Sequence, residues 1–249
     1  MKIRSIVLVG LLALLVFAIA LFPASLAWKS VSSMASGLPV KVERVGGTIW
    51  NGFFVGKLNN PVLRGPVVVS WDLKGLRLLM GEANVGLSLE GQAYRLSGSG
   101  HWGLWGKGVA DLNGDVQAHM LNQSLRQFDV SAQGVLKIED LSINLSGKKI
   151  TKANGQISWS GGSVTAAGRG ASDPIMYPAV NGLVSEVDGS LLLAVTETQS
   201  KAPLGELGLL PEKNLGSVKV LQRVLTLAGM DSGGDDDKVL INMQQPLPF

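Results

Sequence analysis

Residues 67–73 read VVVSWDL. Successive side chains of a strand point to opposite faces, so Val67, Val69, Trp71 and Leu73 share one side. The same period of two recurs along the chain. NVGLSLEG groups Val85, Leu87 and Leu89, with Ser88 and Glu90 opposite. LSINLSG groups Leu141, Ile143 and Leu145; SLLLAVTET groups Leu191, Leu193 and Val195; VLINMQ groups Val239, Ile241 and Met243. Alternation with one apolar side marks antiparallel sheet with one covered face. The 32 glycines and the turn signals between these runs fit many short strands. Turns are expected at Asn59-Asn60-Pro61, Asn113-Gly114-Asp115, Ser160-Gly161-Gly162 and Val187-Asp188-Gly189.

Two stretches read as helix. LKGLRLLMG (73–81) gives a short turn of helix between strands. LGSVKVLQRVLTLAG (215–229) sets Val218, Leu221, Val224, Leu225 and Ala228 on a helical stripe, with Gly229 as its C-terminal cap.

The amino-terminal end is different. Lys2 and Arg4 precede residues 5–28, which carry no charge. At about 1.5 Å per residue that run can cross a hydrocarbon core of about 30 Å. A cleaved signal peptide with Ser25-Leu26-Ala27 at its cleavage site is the competing reading. The apolar core from Ile6 to Phe22 is longer than a signal core, which favours a retained anchor. Lys2 and Arg4 then stay cytoplasmic, and Trp28 and Lys29 sit at the far interface. The expected organisation is a cytoplasmic end (1–4), a transmembrane anchor (5–28), a linker (29–39) and a periplasmic β-rich domain (40–249). The expected fold class is mainly β: one transmembrane helix, then a large twisted, mostly antiparallel sheet with one or two short helices.

Composition removes several function classes. The net charge is only +3 and the cations are scattered, which gives nucleic acid no footprint. The absence of cysteine excludes disulfides and thiolate metal sites. Gly98-Ser99-Gly100-His101-Trp102-Gly103 matches a dinucleotide fingerprint as a string, but a strand and turn follow it rather than a helix. His101 and His119 have no nucleophile elbow near them in sequence. Asp231, Asp235, Asp236 and Asp237 cluster without the spacing of a calcium loop. The tryptophans at 50, 71, 102, 105 and 159 read as packing or sheet-edge residues before a sugar platform. No catalytic residue, metal site or cofactor is expected. GQISWSGG (155–162) and GHWGLWGKG (100–108) echo GTIWNG (47–52), each placing Trp near glycines.

The segment VERVGGTIWNGFFVGKL after an apolar anchor resembles protein N of the bacterial type II (general) secretion pathway. The matching positions are Val45, Gly47, Thr48, Ile49, Trp50 and Gly52, with Trp71 in the later Val-x-Trp stretch. LQRVLTLAGMDSGGDDDKVLINMQQPL resembles that family's helix, loop and final strand; Asp235 to Lys238 lengthen the loop, and Ile49 stands where Leu is commoner. The resemblance implies a non-enzymatic accessory component, with partners in the inner-membrane platform or the outer-membrane secretin. It implies that the glycines permit a tight turn and that Trp50 locks the first strand, with Gly47 and Gly52 making space. The family is also similar, more distantly, to proteins whose long curved sheets hold lipid in an apolar trough. Two roles follow: scaffold, through exposed strand edges, or carrier of inner-membrane lipid in an apolar groove. A continuous apolar concave face favours lipid; a short sheet with polar faces favours scaffold. The final strand is the expected partner edge, with Val239, Ile241 and Asn242 on it.

Overall fold

A computed structural model describes residues 11, 14, 17–32, 40–59, 64–78, 81–103, 106–125, 129–166, 174–229 and 233–246. Lys2, Arg4, Trp105, Asp231, the Asn60-Pro61 turn and most of the expected linker lie outside them.

Thirteen strands form one sheet in which every neighbour pairs antiparallel. They are β1 (Val40–Gly47), β2 (Asn51–Asn59), β3 (Arg64–Leu73), β4 (Glu82–Gly91), β5 (Tyr94–Gly103), β6 (Gly106–Gln117), β8 (Val135–Ser146), β9 (Lys149–Trp159), β12 (Val180–Val187), β13 (Ser190–Glu197), β14 (Pro203–Leu210), β15 (Leu215–Leu221) and β16 (Val239–Pro246). Their spatial order is their sequence order, with β1 and β16 at the edges. Two insertions leave this meander. One, after β6, holds a single turn of 3-10 helix at Ala118–Leu121, a short helix at Asn122–Leu125 and β7 (Val130–Ala132); the other, after β9, holds β10 (Gly162–Ala166) and β11 (Ile175–Tyr177). The two meet in a small sheet ordered β11-β10-β7.

Alternation explains why the strands read as they do. Cross-strand neighbours share a face, and Phe54, Val69, Leu89 and Leu96 follow one another from β2 to β5. Buried clusters form on that face. Val67, Tyr94 and Val116 are packed by Met120 and Leu136 among others; Ile150, Ala153 and Val184 are packed by Ile143, Ile157 and Leu193 among others. Gly91 lets the Tyr94 ring lie flat against the strand, since a Cβ there would fall 2.4 Å from it.

The expected hairpin at Val187-Asp188-Gly189 is present. Asp188 (φ 49) and Gly189 (φ 78) both adopt the left-handed conformation that a two-residue hairpin loop demands. The helix expected at 73–81 is the turn Gly75–Leu78.

Three expectations are corrected. The helix drawn over 215–229 is β15 followed by a helix of only Arg223–Leu227. Val218 and Val220 prefer a strand, and they pair with Leu207 and Gly205 across β14. A short apolar run satisfies both periods, and the pairing partner decided between them. Gly229 does follow that helix with φ 72, as a cap requires. Second, Asn113-Gly114-Asp115 is no turn but lies inside β6, where the β6–β8 register shifts between Val109, Leu112 and Gly114. Gly114 sits at φ 154, and a Cβ would lie 2.0 Å from the Arg95 carbonyl oxygen, so glycine serves an irregular strand there. Third, the uncharged run 5–28 is not one helix to its end. Residues 17–20 are helical, Pro23 is extended (φ −67, ψ 130), and a separate helix covers Ala24–Val31. Among the described residues no helix is long and apolar enough to cross a membrane.

Candidate functional site: an apolar sheet face and two unlike edges

The Gly-Thr-Ile-Trp-Asn-Gly stretch forms the connection between β1 and β2. Gly47 takes φ 81 and pairs with Gly52. The Thr48 amide donates to the Asn51 carbonyl (2.8 Å), and the Asn51 amide donates back to Thr48 Oγ1 (3.1 Å). This tight turn leaves two outward donors, and both are used on the incoming chain. The Ile49 amide donates to the Phe22 carbonyl at 3.1 Å, and Trp50 Nε1 donates to the Ile19 carbonyl at 2.8 Å. Thr48 also bridges Pro23. The motif is therefore a socket for the end of the apolar amino-terminal segment.

The roles of its glycines differ from the expectation. Trp50 is half-buried, and the glycine beneath its ring is Gly75, where a Cβ would lie 3.0 Å away. Gly52 makes room for Trp71 instead, since a Cβ there would fall 2.5 Å from Trp71 Cζ2. Trp71 Nε1 donates to the Ile49 carbonyl at 3.1 Å, so the second tryptophan fastens the turn from the sheet side. No sequence signal linked Gly75 to Trp50, because neither neighbour falls in the other's period.

Beyond the socket, the helix Ala24–Val31 lies over β1 to β4. Ala24, Ala27 and Trp28 face Val45, Ile49, Phe54, Val69, Trp71, Val85 and Leu87 around a cleft of about 430 Å³. Trp28 is half-buried there, and Lys29 is exposed. A second apolar cleft of about 290 Å³ opens over β9 and β12 to β15, between Trp159, Val195, Leu204, Leu207 and Val220. Tyr177 of β11 and Val224 and Leu227 of the short helix close it, and the Tyr177 hydroxyl reaches the Val224 carbonyl at 3.4 Å. Trp159 Nε1 donates to the Gln133 carbonyl (2.8 Å), so this echo of the first motif also ties an insertion to the sheet.

These clefts belong to one surface. Register carries the apolar side unbroken from Val45 and Phe54 through Leu96, Ile143, Val184 and Leu193 to Leu207, Val218 and Met243. The opposite side is mixed: Ser70, Ser88, Ser97, Asn144, Ser158 and Asn181 stand in its rows, together with the exposed Phe53, Val68 and Leu183. Ion pairs line it: Arg95 with Glu90, Lys137 with Glu139, and Lys219 with Glu206. The Glu139 carboxylate holds the Lys137 ammonium pKa above its usual value. All three pairs are exposed and add little stability.

The remaining candidates have structural places. Residues 98–103 lie wholly in β5, without the strand-to-helix turn that phosphate needs. His101 stands in β5, and His119 is exposed in the 3-10 turn. Asp236 and Asp237 pair with Arg223 (3.6 and 2.9 Å), and Thr226 donates to Asp236 at 2.7 Å. That cluster fastens the loop before β16 to the helix Arg223–Leu227. Trp102 is 52% exposed beside a shallow cleft of about 470 Å³ with Lys107 and Leu145.

The two edges differ. β1 carries Lys41, Glu43 and Arg44 in eight residues. β16, VLINMQQP, carries no charge and is exposed at every position. Val239, Ile241 and Asn242 lie on this edge strand.

No curated protein and no solved structure matches the chain. The model of the type II secretion system protein N family matches residues 39–228, from the start of β1 through the short helix that follows β15. With its socket motif and nearly all of its sheet inside that match, the chain belongs to the type II secretion system protein N family.

Proposed function

We propose that this chain is a non-enzymatic accessory subunit of a type II secretion machine, tethered to the inner membrane through the apolar amino-terminal run that leads into the socket, with its sheet in the periplasm. Family membership supports the secretion role. The observation that carries the scaffold reading is the socket. Three backbone or indole links between residues 19–23 and 48–50 fix the sheet to the segment that precedes it. A rigid joint of this kind suits a part that holds others at a set distance from a surface. Purification from native membranes in mild detergent, with mass spectrometry of what accompanies the protein, tests it. Other secretion proteins of the platform or the secretin should be recovered. Their absence from a folded, full-length preparation sinks the scaffold reading.

A second reading, binding of phospholipid, is favoured by the continuous apolar face. Leu207 is 42% exposed in the cleft over β14. Leu207→Asp would expel an apolar ligand there. If bound phospholipid is lost while partner recovery is unchanged, the lipid role replaces the scaffold role.

A further inference from the structure

We propose that the sheet end beside the socket makes a second contact with the bilayer: the rim formed by the connections after β3, β5 and β8 rests on an anionic membrane surface, with Trp102 at headgroup level. The inference rests on the tether of the proposed function and adds a surface that an anchor alone does not require.

Antiparallel order puts successive connections at opposite ends of the sheet. The connections after β1, β3, β5 and β8 therefore share one end. The apolar amino-terminal segment joins the sheet at the first of them, through Ile49 and Trp50. β5 stands three strands from β2, about 14 Å at the usual strand spacing. The Trp102 rim is thus close to the point where the chain would leave the membrane.

The chemistry of the rim selects the surface it meets. Residues 73–82, 102–107 and 146–149, which make these connections, hold Lys74, Arg77, Lys107, Lys148 and Lys149, and a single acid, Glu82, which Arg77 pairs at 3.3 Å. All of these cations are exposed. At the far end the connection after β15 is acid-rich, with Asp235, Asp236 and Asp237. Apolar groups stand among the cations: Trp102 is 52% exposed and Leu78 40%. The Trp102 ring folds back over Gly100 and opens on the shallow cleft with Lys107, Leu145 and Ser146. An indole in water among lysines is poorly placed for an isolated domain. At a bilayer surface the ring lies among headgroups and the ammonium groups meet lipid phosphates. The occupant follows from charge and position together: the tether holds this end beside a bilayer, and anionic headgroups complement its cations.

The chain has no cysteine, so one introduced thiol can carry a fluorophore. The full-length protein is reconstituted in vesicles of phosphatidylethanolamine and phosphatidylglycerol, with a nitroxide-headgroup lipid in both leaflets as quencher. A label on Ser146→Cys should be quenched several-fold more than one on Gln199→Cys, an exposed residue at the far end. Trp102→Ser should bring the Ser146→Cys label towards the Gln199→Cys level. Lys107→Glu combined with Lys148→Glu and Lys149→Glu should do the same, as should exchange of phosphatidylglycerol for phosphatidylcholine. The proposal is overturned if the two labels are quenched equally, or if the Ser146→Cys label ignores both the Trp102 and the lysine changes. It is also overturned if that label is shielded from iodide in native membranes but not quenched in vesicles, since a protein then covers the rim. Alkaline carbonate tests the tether separately. Protein that is extracted although its label was quenched sinks the tether and keeps the contact; protein that is retained with equal quenching at both labels sinks the contact and keeps the tether. All substitutions fall on exposed residues, and circular dichroism of each variant confirms that the sheet is intact.

Discussion

Trp50 shows how one side chain can serve two segments far apart in sequence. Its indole N–H reaches the Ile19 carbonyl while its ring covers Gly75. Trp50→Phe keeps an aromatic ring and removes the donor, so it should cost about 0.5–1.5 kcal/mol. The loss should be local: amide exchange in Ala24–Val31 should accelerate while β3 to β6 stay protected. Uniform acceleration across the sheet would contradict a socket role. Tyr94 gives a second residue-level expectation. Its ring is buried, its hydroxyl has no hydrogen-bond partner among the described residues, and burial raises its pKa above the ordinary phenol value. The folded state therefore holds this proton more tightly than the unfolded chain. Its contribution is fully present below about pH 10 and is lost as pH rises through the folded value. Urea midpoints should hold steady to about pH 9 and fall beyond pH 10, and Tyr94→Phe should reduce that fall. At this scale the sequence marked out the motif residues but not what they touch. Val45, Gly47, Thr48, Ile49, Trp50 and Gly52 were all picked out. That Gly52 serves Trp71 depends on the β2–β3 register, which a local motif does not encode.

Elements were legible where one period held without competition. β3, β4, β8 and β13 each show their apolar side in the sequence and carry it in the sheet, whereas in β16 a register shift at Leu240 takes Val239 off the side of Ile241 and Met243. β15 was not, because Val218 and Leu221 fit a helical stripe as well as a strand. Its assignment comes from pairing with β14 and β16, which are distant or ambiguous in sequence. Gly114 misled in the other direction, since Asn-Gly signals a turn and here supplies an irregularity in a long strand. The strands of the second cluster depend on one another in a way that can be measured. Ile150, 1% exposed, is packed against Leu145, Ile143 and Leu191 from neighbouring strands. Ile150→Ala should cost about 2–5 kcal/mol, read as a lower urea midpoint at an unchanged slope. A variant that unfolds like the parent would mean that β8, β9 and β13 are held by their ladders alone.

At the level of the whole molecule, function was legible through the motif and hidden in the topology. The resemblance pointed to the secretion family, and the match over residues 39–228 establishes it. The apolar face became visible only when the twelve registers of the thirteen-stranded sheet were strung together. The proposed tether makes a further expectation. With residues 40–246 in the periplasm, a protease added to spheroplasts should cut the domain, whereas protection until lysis would reverse the topology.

The strict meander has a kinetic consequence. Each strand of the large sheet finds its neighbour close by in sequence, except across the two insertions and the helix-bearing connection from Leu221 to Val239. Contacts of short sequence separation form quickly, since little loop entropy opposes them. Such a chain can zip up one strand at a time as it emerges amino-terminus first, with the socket and β1 as the starting template. At every intermediate stage the newest strand is a raw boundary waiting for its successor. Among the described residues β16 is the last strand of the sheet, so its outer side keeps the unpaired state that each earlier strand passed through during assembly.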